Sequence, residues 1–294
     1  MPALISACQG TADTPTAVPT APPPATVTLA PPPVVPPSAS PMPATVTLTA
    51  PPPTATPVPA SATRPPPSAT PGPPPQIAVL AYHHFGVPAA GEYDCPLDQF
   101  EAQLRWLKAH GYESVLPQHL VDAIAGRATL PPHPVMFTFD DNNGEQYTDA
   151  APLLEQYGYH GAFFIMTVTI GKRYFMKADQ LRDLERRGHV IGGHTWDHRN
   201  MAILTPKELQ FQLDQSEQEL NDVLGHKPQF LSYPFGVYTE DVAAEVAKRG
   251  YHGAFRLRDP HDPQVAPPFM IHRQIIPGVW SIEDFADTVH SMEP

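Results

Sequence analysis

The sequence predicts an α/β fold in which about seven parallel strands form a closed or nearly closed barrel. Two observations support this prediction. From residue 77 onward, short apolar runs alternate with amphipathic stretches, and many of those stretches stop at a glycine. Alternating strands and helices of this size imply a parallel sheet with helices outside it, and glycine is common just past a helix end. An open, doubly wound sheet is the alternative architecture.

A proline-rich segment precedes this region. Residues 1–75 contain 25 of the 41 prolines, no aromatic residue, no histidine and only two charged residues, Asp13 and Arg64. Such a composition cannot bury enough apolar surface to offset the entropy of ordering the chain. We therefore predict a disordered or polyproline II linker over residues 9–76.

The first eight residues suggest a lipid anchor. Cys8 ends the run Leu4-Ile5-Ser6-Ala7-Cys8, which resembles a bacterial lipobox, although no basic region and no long apolar run precede it. We interpret residues 1–8 as the possible remnant of a lipoprotein signal peptide, and an ordinary secreted or fused protein with a low-complexity leader is the alternative. We expect a protein outside the cytoplasm, either a cell-surface lipoprotein or a secreted protein, with membrane contact only through a possible lipid anchor at Cys8.

Residues 77–294 are expected to form one domain. They contain all fourteen histidines, all the aromatic residues and nearly all of the net charge of −12. Their length suits a single domain with a hydrophobic core, and we expect a monomer. The acidic balance argues against nucleic acid or an anionic membrane surface as the main partner.

Local patterns define the elements of this domain. Seven apolar runs are predicted strands: 77–82, 134–139, 162–166, 189–193, 229–233, 252–256 and 269–275. The clearest helix begins with the capping box Thr205-Pro206-Lys207-Glu208, after which four leucines fall on one face. Six glycines are predicted to end helices: Gly111, Gly126, Gly158, Gly188, Gly225 and Gly250. His160 and His252 precede two strands and are expected to have structural roles at the amino-terminal end of the barrel.

Two carboxylates and two imidazoles follow predicted strands. Asp140 and Asp141 come directly after residues 134–139, and His194 and His198 follow residues 189–193. Because the carboxyl ends of parallel strands share one mouth, we expect these side chains to meet there. A hydrolytic metal centre needs two imidazoles and a carboxylate to bind the ion, and a second carboxylate to take a proton from water. Taken separately, the aspartates could cap a helix and the histidine spacing could be a coincidence.

These motifs and the turn Pro234-Phe235-Gly236 together resemble the polysaccharide deacetylase family, also called the NodB-homology or carbohydrate esterase 4 group. The resemblance is nearest to exported poly-N-acetylglucosamine deacetylases. It implies a distorted (β/α) barrel, an acetylated glycan substrate and a divalent metal ion. Zinc is the first expectation for the ion, and Co²⁺, Ni²⁺ and Mn²⁺ are alternatives.

The resemblance also implies roles for individual residues. Asp141, His194 and His198 would bind the metal, and Asp140 would be the general base. The backbone N–H of Phe235 would hold the oxyanion of the tetrahedral intermediate. Tyr233, Pro234 and Phe235 are candidate substrate-binding residues.

This sequence departs from the family pattern at three points. Asn142 stands where the family has glycine, and asparagine tolerates the left-handed conformation of such a turn. Ser232 stands where the family has the arginine that orients the catalytic aspartate, and Arg273 is our candidate replacement. The later motifs, including the general acid, are not recognisable, which leaves His83 and His272 as candidates. Because neighbouring strand residues point to opposite sides, a regular strand cannot turn both His272 and Arg273 toward the mouth.

The leading functional hypothesis is a metal-dependent hydrolase that removes N-acetyl groups from an extracellular or cell-wall glycan containing N-acetylglucosamine and releases acetate. One alternative is an O-acetyl esterase or small-amide hydrolase that uses the same site. Another is a catalytically impaired carbohydrate-binding lipoprotein. The intact set of two aspartates and two histidines argues against this last alternative, and the missing acid motif favours it.

Overall fold

A computed structural model describes residues 76–86, 91–257 and 268–292. Cys8 and almost the whole of the predicted linker lie outside the described residues. None of the described helices is long and apolar enough to cross a membrane.

A ring of parallel strands forms the centre of the described region. The described strands are β1 (Ala78–Tyr82), β2 (His84–Phe85), β3 (Asp94–Cys95), β4 (Glu113–Ser114), β5 (Pro134–Asp140), β6 (Gly161–Ile165), β7 (Val190–Gly193), β8 (Phe230–Ser232), β9 (Gly253–Leu257) and β10 (Ile271–Ile275). β1 and β5 to β10 make up the ring, β4 pairs with β5 beside it, and β2 and β3 form a separate two-stranded sheet. From β5 to β10 each strand pairs with the next, and β1 closes the ring by pairing with both β5 and β10. The barrel predicted from the sequence is therefore confirmed, and the open sheet is excluded.

Seven described α-helices surround the ring; the first six lie between strands in the sequence, and the last follows β10. They are α1 (Leu97–Ala109), α2 (Pro117–Ile124), α3 (Ala151–Gln156), α4 (Ala178–Arg186), α5 (Pro206–Leu224), α6 (Glu240–Lys248) and α7 (Ile282–Ser291). The predicted capping box begins α5, where Glu208 N–H donates to Thr205 Oγ1 and Thr205 N–H donates to Glu208 Oε2. All six glycines predicted to end helices have positive φ, as the left-handed stop requires.

Alternate residues of the ring strands point into and out of the barrel. An apolar cluster fills the interior, and its members come from different strands: Val79, Met136, Phe164, Phe230, Phe255 and Ile271. Residues of the opposite parity, such as Phe137, Phe139 and Phe163, belong to a second cluster that includes the helices. Gly192 faces the interior, since a Cβ there would lie 2.6 Å from the Phe164 ring. The next inward-pointing residues toward the carboxyl end of each strand therefore direct their side chains into the mouth of the barrel.

Two histidines lie at the opposite end of the barrel from this mouth. His160 and His252 each come directly before a strand, as the sequence predicts. His252 Nδ1 lies 2.8 Å from Gln118 Oε1, and the His160 ring packs 5.2 Å from that of His189. Each contact links the histidine to a neighbouring segment of the barrel, which agrees with a structural role for both residues.

Candidate metal and catalytic site

A cavity of about 240 Å³ opens at the carboxyl ends of the strands. Its lining includes six residues singled out from the sequence, namely His83, Asp140, Asp141, His194, His198 and Phe235. The remaining lining residues are His84, Tyr93, Gly236 and Leu257. The cavity thus has a polar floor and an apolar side formed by Phe235 and Leu257.

Three of these side chains could hold a metal ion. Asp141 Oδ1 lies 3.6 Å from His194 Nε2 and 3.6 Å from His198 Nε2, and the three ligand atoms all lie within 4.8 Å of one another. Ligands bound tetrahedrally to zinc at about 2.0–2.1 Å would be about 3.3 Å apart. The donor set and its spacing therefore fit a divalent ion such as zinc.

The orientation of His194 suits a metal ligand. Its ring is buried, and Nδ1 lies 2.7 Å from the backbone oxygen of Ser232. A carbonyl oxygen can only accept, so Nδ1 carries the proton and Nε2 offers its lone pair to the cavity. Such a bond to the second ring nitrogen is the usual way in which proteins fix a metal-binding histidine.

The second carboxylate, Asp140, forms a buried ion pair with Arg273. Arg273 Nη1 donates to Asp140 Oδ1 and Nη2 donates to Oδ2, both at 2.7 Å. Ser232 Oγ accepts from Arg273 Nη2 at 2.7 Å and donates to Asp140 Oδ2 at 3.1 Å. Thr138 Oγ1 accepts from Arg273 Nη1 at 3.2 Å. The arginine from the last strand thus holds both oxygens of Asp140 in a fixed plane.

This pairing sets the charge of Asp140. Burial by itself raises the pKa of the carboxyl, but the adjacent Arg273 guanidinium, together with His194 and His83, lowers it well below its ordinary value. Asp140 is therefore ionised at neutral pH. Its Oδ2 lies 3.7 Å from His194 Nε2, so the charge stands directly beside the three candidate metal ligands.

His83 lies on the other side of the same carboxylate. Its Nε2 is 3.9 Å from Asp140 Oδ2, and its ring packs edge-on against Tyr93. Burial lowers the pKa of His83 to about 4 despite the nearby aspartates. His83 is thus neutral at pH 7 in the metal-free protein.

The loops that carry the site have unusual backbone conformations. Of the six described non-glycine residues with positive φ, five lie at this mouth: Asp141, Asn142, Thr195, His198 and Phe235. Asn142 adopts φ 66°, and its side chain donates to Thr169 Oγ1. The expectation that Asn142 adopts the left-handed conformation of this turn is confirmed. Strained conformations of this kind cluster at functional sites.

Three of the candidate acid and substrate-binding residues do not line the cavity. His272 neighbours Arg273 on β10 and points out of the barrel, where its Nε2 lies 2.7 Å from Arg256 Nη2. Tyr233 follows inward-facing Ser232 and is buried in an outer apolar cluster, with its hydroxyl donating to the backbone oxygen of Phe269. Strand alternation explains both corrections. Pro234 is buried and does not line the cavity, so Phe235 alone of the three proposed substrate-binding residues does so.

The sequence reasoning missed the contacts of Thr138 and Ser232 with Arg273. Both residues share the inward parity of Asp140 and Arg273 on their strands, and this alternation was the signal that could have found them. His84, which follows His83 at the end of the first strand and was a weaker candidate from the sequence, lines the rim with its Nδ1 3.7 Å from Glu145 Oε1.

Comparison with known proteins agrees with this geometry. Residues 127–254 match the family described as polysaccharide deacetylase. The chain is 26% identical over 182 residues to a poly-β-1,6-N-acetyl-D-glucosamine N-deacetylase of Staphylococcus aureus strain MRSA252, an alignment that covers 57% of this chain and 62% of that protein. It is 28% identical over 178 residues to YxkH of Bacillus subtilis strain 168, covering 60% of this chain and 63% of the relative. The chain therefore spans somewhat less than two thirds of the length of these relatives.

Solved structures share the fold. A Streptococcus pyogenes deacetylase, PplD, crystallised in complex with acetate, superposes with a TM-score of 0.68 at 22% identity, covering 75% of this chain and 100% of that one. IcaB from Ammonifex degensii superposes with a TM-score of 0.63 at 24% identity, covering 74% of this chain and 97% of that one. At these identities the likeness establishes the barrel architecture alone.

Proposed function

We propose that the protein is a metal-dependent hydrolase that removes N-acetyl groups from a glycan containing N-acetylglucosamine, as the match of residues 127–254 to the polysaccharide deacetylase family suggests. The reaction consumes water, breaks the amide C–N bond, and yields acetate and a free amine. The observation that carries the proposal is the convergence, in one cavity, of ionised Asp140 with the candidate ligands Asp141, His194 and His198.

The three candidate ligands would hold a divalent ion, with zinc favoured by two imidazoles and one carboxylate. An ion bound there would polarise the acyl oxygen of the substrate and lower the pKa of water. Three protein ligands leave positions open, as a catalytic rather than a structural site requires.

Asp140 would act as the general base. Arg273 keeps the carboxylate ionised and fixes its plane, so that an oxygen faces the cavity beside His194. The carboxylate would take the proton from the water oxygen that attacks the acetamide carbon. The backbone N–H of Phe235 is our candidate donor to the oxyanion that then forms.

Collapse of this intermediate requires a proton for the leaving amine. His83 is the candidate carrier, because its Nε2 lies 3.9 Å from Asp140 Oδ2 and it also lines the cavity. A proton taken up by Asp140 can pass to the imidazole and then to the amine nitrogen as the C–N bond breaks. The proton balance closes without any other group from the protein.

The shape of the cavity supports an acetyl group as the part of the substrate that enters. Phe235 and Leu257 form its apolar side, against which the acetyl methyl would pack, and His84 and Tyr93 line its polar side. The name of the Staphylococcus aureus relative favours a β-1,6-linked N-acetylglucosamine polymer. Such a polymer is consistent with a protein outside the cytoplasm, either secreted or attached through Cys8.

Acetate release from a panel of acetylated glycans tests the proposal. The panel contains β-1,6- and β-1,4-linked N-acetylglucosamine oligomers and O-acetylated xylan. Asp140→Asn should lower kcat about 100-fold or more while the protein still binds zinc. Unchanged turnover in Asp140→Asn, or a wild type that binds no divalent metal, would contradict the mechanism. Release from xylan alone would identify an esterase, and glycan binding without acetate release would identify a binding protein.

A further inference from the structure

A buried glutamine holds the loop between the two candidate metal-binding histidines. Gln212 lies on α5, and only 1% of its surface is exposed. Its Oε1 accepts the backbone N–H groups of Trp196 at 3.1 Å and of Asp197 at 3.2 Å. Its Nε2 donates to Asp197 Oδ1 at 2.6 Å. One side-chain amide thus makes three hydrogen bonds to two consecutive residues of the loop.

The direction of this amide follows from its partners. Backbone N–H groups can only donate, so they must meet the oxygen of Gln212, and an ionised carboxylate can only accept, so it must meet the NH₂ group. Asparagine carries the same amide group but is one methylene shorter.

The loop needs this support because its backbone is strained at both ends. Thr195 has φ 63° and His198 has φ 64°. Left-handed conformations are unfavourable for residues other than glycine, and a β-branched threonine is rarely found there. The hydroxyl of Thr195 accepts the His198 N–H at 3.1 Å, which stabilises the turn from within. Gln212 stabilises it from outside.

The two histidines differ in how they are fixed. His194 directly follows β7, and Ser232 fixes its ring. His198 lies four residues further, beyond the turn that Gln212 holds, and its Nε2 must still come within 3.6 Å of Asp141 Oδ1. We propose that Gln212 is a positioning residue for the metal site, acting on His198 through the Trp196-Asp197 turn. The proposal rests on the metal-dependent function proposed above.

The hydrogen-bond pattern predicts which substitutions are harmful. Gln212→Glu keeps an acceptor for the two N–H groups but turns a second carboxylate toward Asp197. The two negative charges repel each other, and the turn loses its fixed position. Asp197→Asn in the same protein removes the repulsion, because the asparagine NH₂ can donate to the new glutamate. The double variant Gln212→Glu/Asp197→Asn also restores the original local charge.

The test is the Co²⁺ affinity of the full chain, measured by competition with a chelator and by the visible absorption of bound Co²⁺. Gln212→Glu should weaken binding about 10- to 100-fold, the usual effect of losing the partner of a metal ligand. The double variant should recover to within about threefold of the wild type. Gln218→Glu is the matched control, since Gln218 lies exposed on the same helix and donates to Asp222 Oδ1 at 2.8 Å. The Co²⁺ affinity of the Gln218→Glu variant should equal that of the wild type.

The melting temperature of each apoprotein separates positioning from folding. If Gln212→Glu folds poorly, Gln212→Met provides a neutral variant that lacks all three hydrogen bonds and should also bind Co²⁺ more weakly. Wild-type affinity in Gln212→Glu or Gln212→Met, or no recovery in the double variant, overturns the positioning role and leaves the proposed function intact. A wild type that binds no Co²⁺, Zn²⁺ or Ni²⁺ overturns both.

Discussion

Asp140 and Arg273 form a buried ion pair at the mouth of the barrel. The sequence has serine at position 232, where the family has an arginine, and the guanidinium instead comes from β10. Ser232 remains part of the arrangement, because its small hydroxyl bonds to both members of the pair. The same carboxylate is therefore oriented from a different strand.

Arg273→Ala should be strongly destabilising. The substitution leaves Asp140 buried without its counter-charge, and breaking a buried pair in this way costs about 3–5 kcal/mol. We expect a corresponding fall in the free energy of unfolding in urea and a loss of acetate release. Asp140→Asn/Arg273→Ala serves as the control, since it removes both charges. If the double variant loses as much free energy of unfolding as the two single variants together, the direct coupling between Asp140 and Arg273 is contradicted.

The strands and helices of the barrel were largely predictable from the sequence. The side of each strand that faces the interior was not. Each of the seven strands of the ring agrees with its predicted range to within two residues. β2, β3 and β4 were missed because two-residue strands carry no periodicity. Arg273 was placed correctly and Tyr233 wrongly, because each placement depends on which alternate residues of a strand face the interior. The sequence does not show this until one interior residue of the strand is known.

One element outside the site is sensitive to pH. The His189 side chain is buried, its Nδ1 accepts the backbone N–H of Gly161 at 3.1 Å, and its Nε2 lies 2.7 Å from Glu155 Oε1. Burial lowers the pKa of His189; Glu155 opposes this shift, and His160 and Arg187 add to it. The neutral ring is therefore the form that the folded protein requires.

Stability should fall as the pH drops below about 6.5, the ordinary histidine pKa. Because the folded pKa is lower than the unfolded one, the unfolded chain binds the proton first, and the stabilisation present above pH 6.5 is lost on acidification. One such group contributes a slope of up to about 1.4 kcal/mol per pH unit. Urea unfolding at pH 7.5 and at pH 5.0 measures this fall in the free energy of unfolding. His189→Gln should show a smaller difference between the two pH values, and an equal difference would contradict the assignment.

The described region behaves as a unit whose apolar clusters draw on residues from Ile77 to Met292. A chain comprising residues 76–294 should therefore unfold within about 2 °C of the full-length protein, since 1 kcal/mol corresponds to roughly 2–4 °C at this size. It should also release acetate from short oligomers at the same rate. Calorimetry and the oligomer assay check this. A shift above about 5 °C would show that residues 1–75 contribute to folding.

The closure of the ring has a consequence for the order in which the protein matures. Asp140 and its counter-charge Arg273 are separated by 133 residues, and the first strand pairs with the last. Contacts between residues so far apart in the sequence form late in folding, because closing the large intervening loop costs conformational entropy. During synthesis, the ligand residues emerge well before the arginine that completes their surroundings. A nascent chain that has not yet released β10 therefore holds an unpaired Asp140 carboxylate and an open barrel, and the site is complete only once Arg273 has emerged.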